Sequence, residues 1–256
     1  MDWKTLFPEN EQPLDHLLPD GGFCGIFRTI GCVGDSLSSG EFQIPHPNDP
    51  KKWAYYDMYE YSWGQFMART IGSKVYNFSK GGMTAKQYME SFAESRGFWD
   101  PELHCQAYII ALGVNDIQNQ NMPVGTLDDV STDWRSPADN FAGYYTAIIA
   151  RLKEISPDAK FFFVTIPKGQ SPERNAKADL QAEFLRQLTP TVENAYLIDL
   201  NRYAPAFDEE FRDKFFLNGH MNPMGYAFFA KIIISYVDYI IRHNTKDFDH
   251  LGFVKH

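Results

Sequence analysis

The stretch TIGCVGDSLSSGE, residues 29–41, places Ser36 directly after an apolar run. Small polar residues with glycine mark a sharp turn, and this turn closes a strand-like segment, FRTIGCV. A hydroxyl between a strand end and a helix start lies beside unpaired backbone N–H groups, which can stabilise an oxyanion. Ser36 is therefore a candidate nucleophile. The alternative is that Asp35, Ser36 and Ser38 only cap a helix, as such residues commonly do.

A serine hydroxyl is a poor nucleophile without a base, and the candidate base is His220. It lies in FLNGHMNPMGY, two residues before the Asn that would cap the last helix, on the loop after the fifth predicted strand. A loop there can return to the edge of the sheet where Ser36 is expected. The other histidines lie in polar loops, ahead of a strand or in the C-terminal region: His16, His46, His104, His243, His250 and His256.

Acyl transfer also requires hydrogen-bond donors for the developing oxyanion. Gly82 lies in NFSKGGMTA after the second predicted strand, and Asn115 lies in LGVNDIQ after the third. The Gly82 N–H has no side chain to obstruct it, and the Asn115 amide offers a second donor. Either sequence alone is also typical of a simple turn. Because both follow parallel strands, we expect them at the same sheet edge as Ser36.

Five short runs rich in β-branched and aromatic residues predict strands that are buried on both faces. Helix-like segments lie between them, and this alternation predicts parallel strands joined by right-handed crossovers. The fold class that follows is a three-layer α/β/α sandwich with a five-stranded parallel sheet. The runs are FRTIGCV (27–33), KVYNFS (74–79), AYIIALG (107–113), KFFFVTIP (160–167) and AYLIDL (195–200).

Four segments between and after these runs predict the longer helices. Ser136 followed by Pro137 predicts the start of the second helix, because serine caps helices and proline suits the first turn. Asn222 followed by Pro223 predicts the start of the last helix in the same way. The segments are 84–97, 136–157, 174–189 and 222–243.

Residues 42–70 do not follow the alternation and begin at the carboxyl edge of the sheet, where open α/β sheets bind ligands. We predict a proline-containing loop leading into an amphipathic helix. Offsets of three and four residues give that helix an inward stripe of Trp53, Tyr56, Tyr59, Trp63 and Phe66. The alternative is that Tyr55, Tyr61 or His46 lines a pocket. We expect residues 1–256 to form a single domain with this segment as an aromatic-rich insertion.

The net charge of −9 limits the classes of partner. Its field has the wrong sign for nucleic acid or an anionic membrane, so we expect a small-molecule substrate and neither of those partners. Cys24, Cys32 and Cys105 are too widely spaced to predict a disulfide framework or a metal site. The N-terminal residues lack a secretory pattern, so we expect a cytoplasmic protein. The apolar stretch YAFFAKIIISYVDYII contains Lys231 and Asp238, and we expect it to fall short of a membrane span.

Four short blocks, in this order along the chain, resemble the motifs of the SGNH/GDSL hydrolases. These are serine esterases with a flavodoxin-like α/β/α fold, and the resemblance covers roughly residues 27–240. Each block alone is a weak signal, whereas the ordered set is specific. The blocks are GDSLS at 34–38, GGMT at 81–84, GVND at 113–116 and GHMNPMGY at 219–226.

The resemblance implies a serine esterase mechanism for this chain. Ser36 would be the nucleophile and His220 the general base, while the N–H groups of Ser36 and Gly82 and the side chain of Asn115 would form the oxyanion hole. The expected substrates are acetyl esters on carbohydrates or other short acyl esters. A lipase, lysophospholipase or thioesterase activity is the alternative within the family. Neither a metal nor an organic cofactor is implied.

The chain departs from the family pattern at Leu217. The family commonly has an aspartate three residues before the histidine, where it orients the imidazole as the third member of a triad. Three explanations stay open: a backbone carbonyl could orient His220, Asp213 or Asp199 could do so from elsewhere, or the site could be weakened or inactive. We rank the carbonyl first and Asp213 second.

Two further functions remain as alternatives. The hydroxyl-rich turn at a helix start could hold a phosphate, as flavodoxin-like folds hold FMN, which would make this a phosphate- or flavin-binding protein. The departure at Leu217 also fits an esterase that has lost catalysis and only binds.

Overall fold

The computed structural model describes residues 7, 8 and 10–251. Its main sheet has five parallel strands in the order β4-β1-β5-β6-β7, and β2 and β3 form a separate antiparallel hairpin. The order is that of flavodoxin-like folds, because the second sheet strand in the chain lies outside the first. The strands are β1 Thr29–Gly34, β2 Glu41–His46, β3 Asp49–Asp57, β4 Lys74–Ser79, β5 Ala107–Ala111, β6 Lys160–Val164 and β7 Ala195–Ile198.

Helices cover both faces of the sheet, so the predicted three-layer α/β/α sandwich is confirmed. On one face α2 and α9 pack against each other and enclose one apolar cluster, and α5 and α6 enclose a second cluster on the other face. The helices are α1 Ser36–Ser39, α2 Trp63–Ile71, α3 Ala85–Gln87, α4 Ala93–Ser95, α5 Phe141–Ile155, α6 Pro172–Leu188, α7 Leu200–Tyr203, α8 Glu209–Phe215 and α9 Pro223–His243.

The helix starts follow side-chain capping, with one correction. Asn222 caps α9 as predicted, because its Oδ1 accepts a hydrogen bond from Gly225 N at 2.8 Å. The predicted cap of α5, Ser136 with Pro137, is wrong. Asn140 caps that helix instead, and its Oδ1 accepts from Gly143 N at 2.9 Å. The predicted helix at 84–97 is confirmed over Ala85–Ser95, where the chain is continuously helical and a π-helical turn at 88–92 lies between α3 and α4.

The prediction for residues 42–70 is wrong in its first half. The segment is a β-hairpin up to Asp57, and the helix begins only at Trp63. Trp53 and Tyr56, predicted to face the core, are each 46% exposed. Their offset of three residues puts them on opposite faces of a strand, and a two-stranded ribbon leaves both faces largely open. Trp63 is buried as expected.

α9 is the most apolar long helix of the described chain. The helix has 21 residues, and its most apolar 18-residue window has a mean hydropathy of 1.4, so by length and composition it could cross a membrane, contrary to our expectation. However, 72% of its most apolar window is buried inside the protein. It packs against α2 and β7 as a core helix does.

A buried ion network joins the C-terminal turn of α9 to the N-terminal segment. Arg242 Nε lies 2.7 Å from Asp238 Oδ2, and its Nη1 lies 2.6 Å from Glu11 Oε2. Asp238 also accepts from Phe23 N at 2.7 Å. The side chains of Arg242 and Asp238 are only 9% and 3% exposed, so neither charge is compensated by water.

We expect Arg242→Gln to lower the free energy of unfolding by about 3 kcal/mol, because it leaves Asp238 charged and buried without its partner. The control is Arg135→Gln, which breaks an ion pair with Asp133 whose side chains are 61% and 59% exposed, and which should cost less than about 1 kcal/mol. Urea denaturation of both variants measures the difference. Equal losses would contradict the assigned importance of the buried network.

Candidate active site

Ser36 lies at the carboxyl edge of the sheet, as predicted. It is the first residue of α1, directly after β1, and the cap of that helix is Asp35, whose Oδ1 accepts from Leu37 N at 3.1 Å. The turn needs Gly34, because a Cβ there would lie 2.2 Å from Ser38 Oγ. Ser36 is half-buried, and Oγ of Ser36 has no hydrogen-bond partner among the described residues. The hydroxyl is therefore displayed rather than used as a cap.

His220 reaches the same edge on the loop between α8 and α9. This loop is pinned by a backbone hydrogen bond from Leu217 N to His220 O at 2.8 Å and by a bridge between Phe216 and Met221. The ring of Tyr55 lies edge-on to the imidazole, with 5.9 Å between the centroids. The base candidate is thus held by backbone and by an aromatic contact.

Both nitrogens of the His220 ring contact side chains of β2. Nδ1 lies 3.2 Å from Gln43 Oε1, and Nε2 lies 3.1 Å from Glu41 Oε1. Gln43 Oε1 also accepts from Gly219 N at 2.9 Å, which fixes the amide orientation because a backbone N–H can only donate. A glycine packs closely against each of these two side chains. A Cβ at Gly81 would lie 2.0 Å from Glu41 Oε2, and a Cβ at Gly219 would lie 2.4 Å from Gln43 Oε1. The two contacts are therefore built into the fold.

These contacts correct our expectations about the orientation of His220. The group at Nδ1 is a side-chain amide and not a backbone carbonyl. Asp199 cannot take part, because it is buried in an ion pair with Arg186 at 2.8 Å. Asp213 is exposed on α8.

The four residues implied by the motifs line one cavity of about 330 Å³ at the carboxyl edge: Ser36, Gly82, Asn115 and His220. Glu41 and Tyr55 also line it, so the alternative given for Tyr55 is confirmed, whereas Tyr61 and His46 are not among its walls. Loops that are remote in sequence converge here because parallel strands end at one edge. The cavity places a hydroxyl, an imidazole and two amide donors around one space.

The two candidate oxyanion donors are set by local geometry. Gly82 has a positive φ of 71°, and no atom lies within 4 Å of the position of a Cβ, so its backbone faces open space. Asn115 Nδ2 donates to Met83 O at 3.0 Å, while Asn119 Nδ2 donates to Asn115 Oδ1 at 2.7 Å. This second hydrogen bond fixes which end of the Asn115 amide is the NH₂ group, which also donates to Asp35 Oδ2 at 3.4 Å.

Two buried carboxyl groups, those of Asp35 and Asp116, lie near the turn that carries Ser36. Burial raises the pKa of Asp35 to about 7, with the nearby charges of Asp116 and Glu41 adding to the effect and the Leu37 N–H and His220 opposing it. Burial likewise raises the pKa of Asp116 to about 6, although it accepts from Ala85 N at 2.8 Å. Among the described residues, no group of three His, Cys, Asp or Glu side chains could hold a metal ion.

Sequence reasoning missed Glu41 and Gln43. The signal that could have found them is their spacing of two residues, which puts both side chains on one face of a strand. Because we predicted a loop at this position, the spacing did not indicate that the two side chains share a face.

The sequence model of the GDSL-like Lipase/Acylhydrolase family matches residues 32–228, most of the chain and all four motif blocks. The chain belongs to this family. It is therefore a hydrolase of ester bonds. A comparison with curated proteins gives no significant match.

Solved structures with the same fold include carbohydrate esterases. A family two carbohydrate esterase from Clostridium thermocellum, in complex with cellohexaose, is 15% identical with a TM-score of 0.58 over 86% of this chain and 65% of its own. A family 2 enzyme with a carbohydrate-binding domain from Corynascus thermopiles (Myceliophthora fergusii) is 16% identical, with a TM-score of 0.54 over 84% of this chain and 66% of its own. A Clostridium thermocellum family 3 carbohydrate esterase is 14% identical, with a TM-score of 0.53 over 84% of this chain and 97% of its own. The chain thus spans slightly less than two thirds of the two family 2 chains.

We expect stability to fall as the pH rises from about 4 to about 7, partly because of Asp35 and Asp116. Their folded pKa values of about 7 and about 6 exceed the ordinary 3.8. The folded state therefore holds more protons in this window, and above it both states are ionised. Asp35→Asn removes one such group and should make the decline of the free energy of unfolding shallower.

Urea denaturation across this pH range measures the decline, with Asp213→Asn as the control that alters an exposed carboxyl. A decline as steep in Asp35→Asn as in the unmodified protein would show that folding does not raise the pKa of Asp35.

Proposed function

We propose that this protein is a serine esterase that removes small acyl groups, acetyl foremost, from hydroxyls of carbohydrate-like alcohols. The observation that carries the proposal is the single cavity lined by Ser36, His220, Gly82 and Asn115. Membership of an acylhydrolase family supports the reaction class. Two observations support a sugar-like alcohol: the fold resembles that of carbohydrate esterases, and the exposed aromatic hairpin beside the site suits stacking on a sugar ring.

In the proposed reaction, Ser36 Oγ attacks the ester carbonyl carbon as its proton passes to His220. The carbonyl oxygen becomes an oxyanion, which accepts hydrogen bonds from Ser36 N, Gly82 N and Asn115 Nδ2. The C–O bond to the alcohol then breaks, and the alcohol leaves with the proton from His220. Water attacks the acyl-enzyme by the same route, which releases the acid and restores the serine.

Gln43 would act as a positioning residue for His220. Its amide oxygen cannot donate, so the contact at 3.2 Å requires the proton on Nδ1. This tautomer leaves the lone pair on Nε2. Because Nε2 lies 3.1 Å from Glu41 Oε1, and a carboxylate has no proton to donate, Nε2 would have to turn from Glu41 to the Ser36 hydroxyl to accept its proton. A neutral amide thus takes the orienting place that a carboxylate holds in a triad.

Glu41 would stabilise the charged ring that forms after proton transfer. Its Oε1 lies 3.1 Å from Nε2, so a protonated ring would donate to it at hydrogen-bond distance. Glu41 and Gln43 would divide between them the two tasks of a triad acid, which are to fix the tautomer and to stabilise the imidazolium.

We expect Ser36→Ala to lower kcat on p-nitrophenyl acetate by at least about 10³-fold, because it removes the nucleophile. The matched control is Ser38→Ala, which removes a hydroxyl of the same turn that does not line the cavity. A fluorophosphonate should add mass at Ser36, as shown by peptide mass spectrometry. Equal rates for the unmodified protein and Ser36→Ala would overturn the proposal, and absence of labelling would favour an esterase that has lost catalysis.

We expect Gln43→Leu to lower kcat by about 10²- to 10⁴-fold, because the acceptor that fixes the His220 tautomer is lost. Gln43→Glu keeps an acceptor oxygen in the same place and should retain most of the activity. Steady-state kinetics on p-nitrophenyl acetate separate the two, with the change in kcat and little change in KM. If Gln43→Leu is as active as Gln43→Glu, another group orients the imidazole.

A further inference from the structure

A second cavity, of about 460 Å³, adjoins the cavity around Ser36. The two share the walls formed by Leu37, Val114, Arg174 and Gly219, so they lie side by side at the same edge of the sheet. We call the second cavity the outer cleft. It extends from the site along the loop between β6 and α6 towards α8. A substrate with its ester at Ser36 would place its larger portion here.

The walls of the outer cleft carry three basic side chains and no acidic one: Lys168, Arg174 and Arg212. This composition is unusual in a chain with 33 acidic and 24 basic residues. Lys168 is already paired with Asp179 at 3.2 Å. The two arginines form no ion pair with any residue that the structure describes.

The contacts of both guanidinium groups are with neutral partners. Arg174 Nε donates to Gln118 Oε1 at 3.1 Å, and its Nη2 donates to Asn119 Oδ1 at 3.2 Å. Arg212 Nη2 donates to the carbonyl of Asn218. These contacts hold the planar groups in place without neutralising them, and they leave donors for a ligand.

The inner part of the cleft has a mixed character. Asp35 and Glu41 line the cavity around Ser36 together with the shared Arg174, so a negatively charged group there would face like charges or buried carboxyls as well as one basic group. An anionic group is therefore favoured in the outer cleft, whose walls hold no acidic side chain. Apolar walls from Ile166, Pro167 and Phe207 would accommodate the ring that carries it.

We propose that the alcohol portion of the substrate carries a carboxylate, which Arg174 and Arg212 bind in the outer cleft. The substrate class is an acylated acidic carbohydrate or a similar acylated hydroxy acid. This inference rests on the proposed esterase function. The carboxylate belongs to the alcohol because the proposed acyl group is too small to reach beyond the inner cavity. Arginine suits the task, since its fork of N–H groups matches a carboxylate with two hydrogen bonds.

The test compares two acetyl esters, one with a carboxylate on the alcohol portion and one in which that carboxylate is methylated: p-acetoxybenzoate and its methyl ester. We expect the unmodified protein to show a kcat/KM ratio, anionic over neutral, of at least about ten after correction for spontaneous hydrolysis. Arg174→Gln and Arg212→Gln should each lower this ratio about tenfold, because a charged hydrogen bond is lost. The control is Arg69→Gln, whose side chain lies over Phe66 outside both cavities and should leave the ratio unchanged.

The ratio is the informative quantity because Arg174 also contacts Asn119, which holds Asn115. Its loss could slow both esters together without altering the ratio. Arg212 also has a link to the site, because it donates to the carbonyl of Asn218 in the loop that carries His220. For both variants, therefore, only the ratio reports on the cleft. A ratio near one in the unmodified protein, or a ratio that neither arginine variant changes, would overturn the proposal.

A second pair of esters locates the charge. Mono-p-nitrophenyl glutarate and p-nitrophenyl pentanoate differ in charge on the acyl side. A preference for the anion in this pair alone would overturn the assignment to the alcohol.

Binding measurements separate this inference from the esterase proposal. Ser36→Ala, which would bind without turnover, should bind p-acetoxybenzoate more tightly than the methyl ester in calorimetry, and adding Arg212→Gln should abolish the difference. If the unmodified protein hydrolyses no ester, the esterase proposal fails, while this comparison still decides the charge preference. Equal binding of both esters by Ser36→Ala would contradict the inference whatever the kinetics show.

Discussion

The position of the His220 ring between Glu41 and Gln43 is the constraint on which the site depends. Both side chains come from β2, the strand that follows α1, the short helix that begins at Ser36. The same short stretch of chain therefore carries the candidate nucleophile and the groups that hold its base. Without β2 the loop between α8 and α9 would still approach the sheet edge, but both polar contacts of the ring nitrogens would be lost.

The parts of the fold that local sequence specifies were predictable. The sheet strands are continuous apolar runs, and the turns after them consist of glycines and small polar residues. This sequence pattern predicts both the strands and the shared sheet edge at which the turns lie. Ser36, Gly82 and Asn115 were predictable for the same reason, because each follows a strand directly. His220 was placed correctly because its loop precedes a well-marked helix cap at Asn222.

The groups around the histidine were not predictable, and the reason is physical. Aromatic residues spaced by three and four fit a helix, yet alternate ones in the same segment fit a strand, and only tertiary packing decides between them. The contact between Gln43 and His220 spans 177 residues. No local pattern encodes such a pair, and the outer cleft, with walls from the loop after β6, from α6 and from α8, is equally non-local.

The exposed position of Leu217 has a wider consequence. It is 41% exposed, and its backbone alone supports the loop, through the hydrogen bond to His220 O. Since Glu41 and Gln43 of the hairpin contact both ring nitrogens, the imidazole has polar partners without an acid at the position three residues before the histidine. Where a chain of this family holds its histidine in this way, the partners of the ring lie in the strand that follows the serine turn and not in the last motif block.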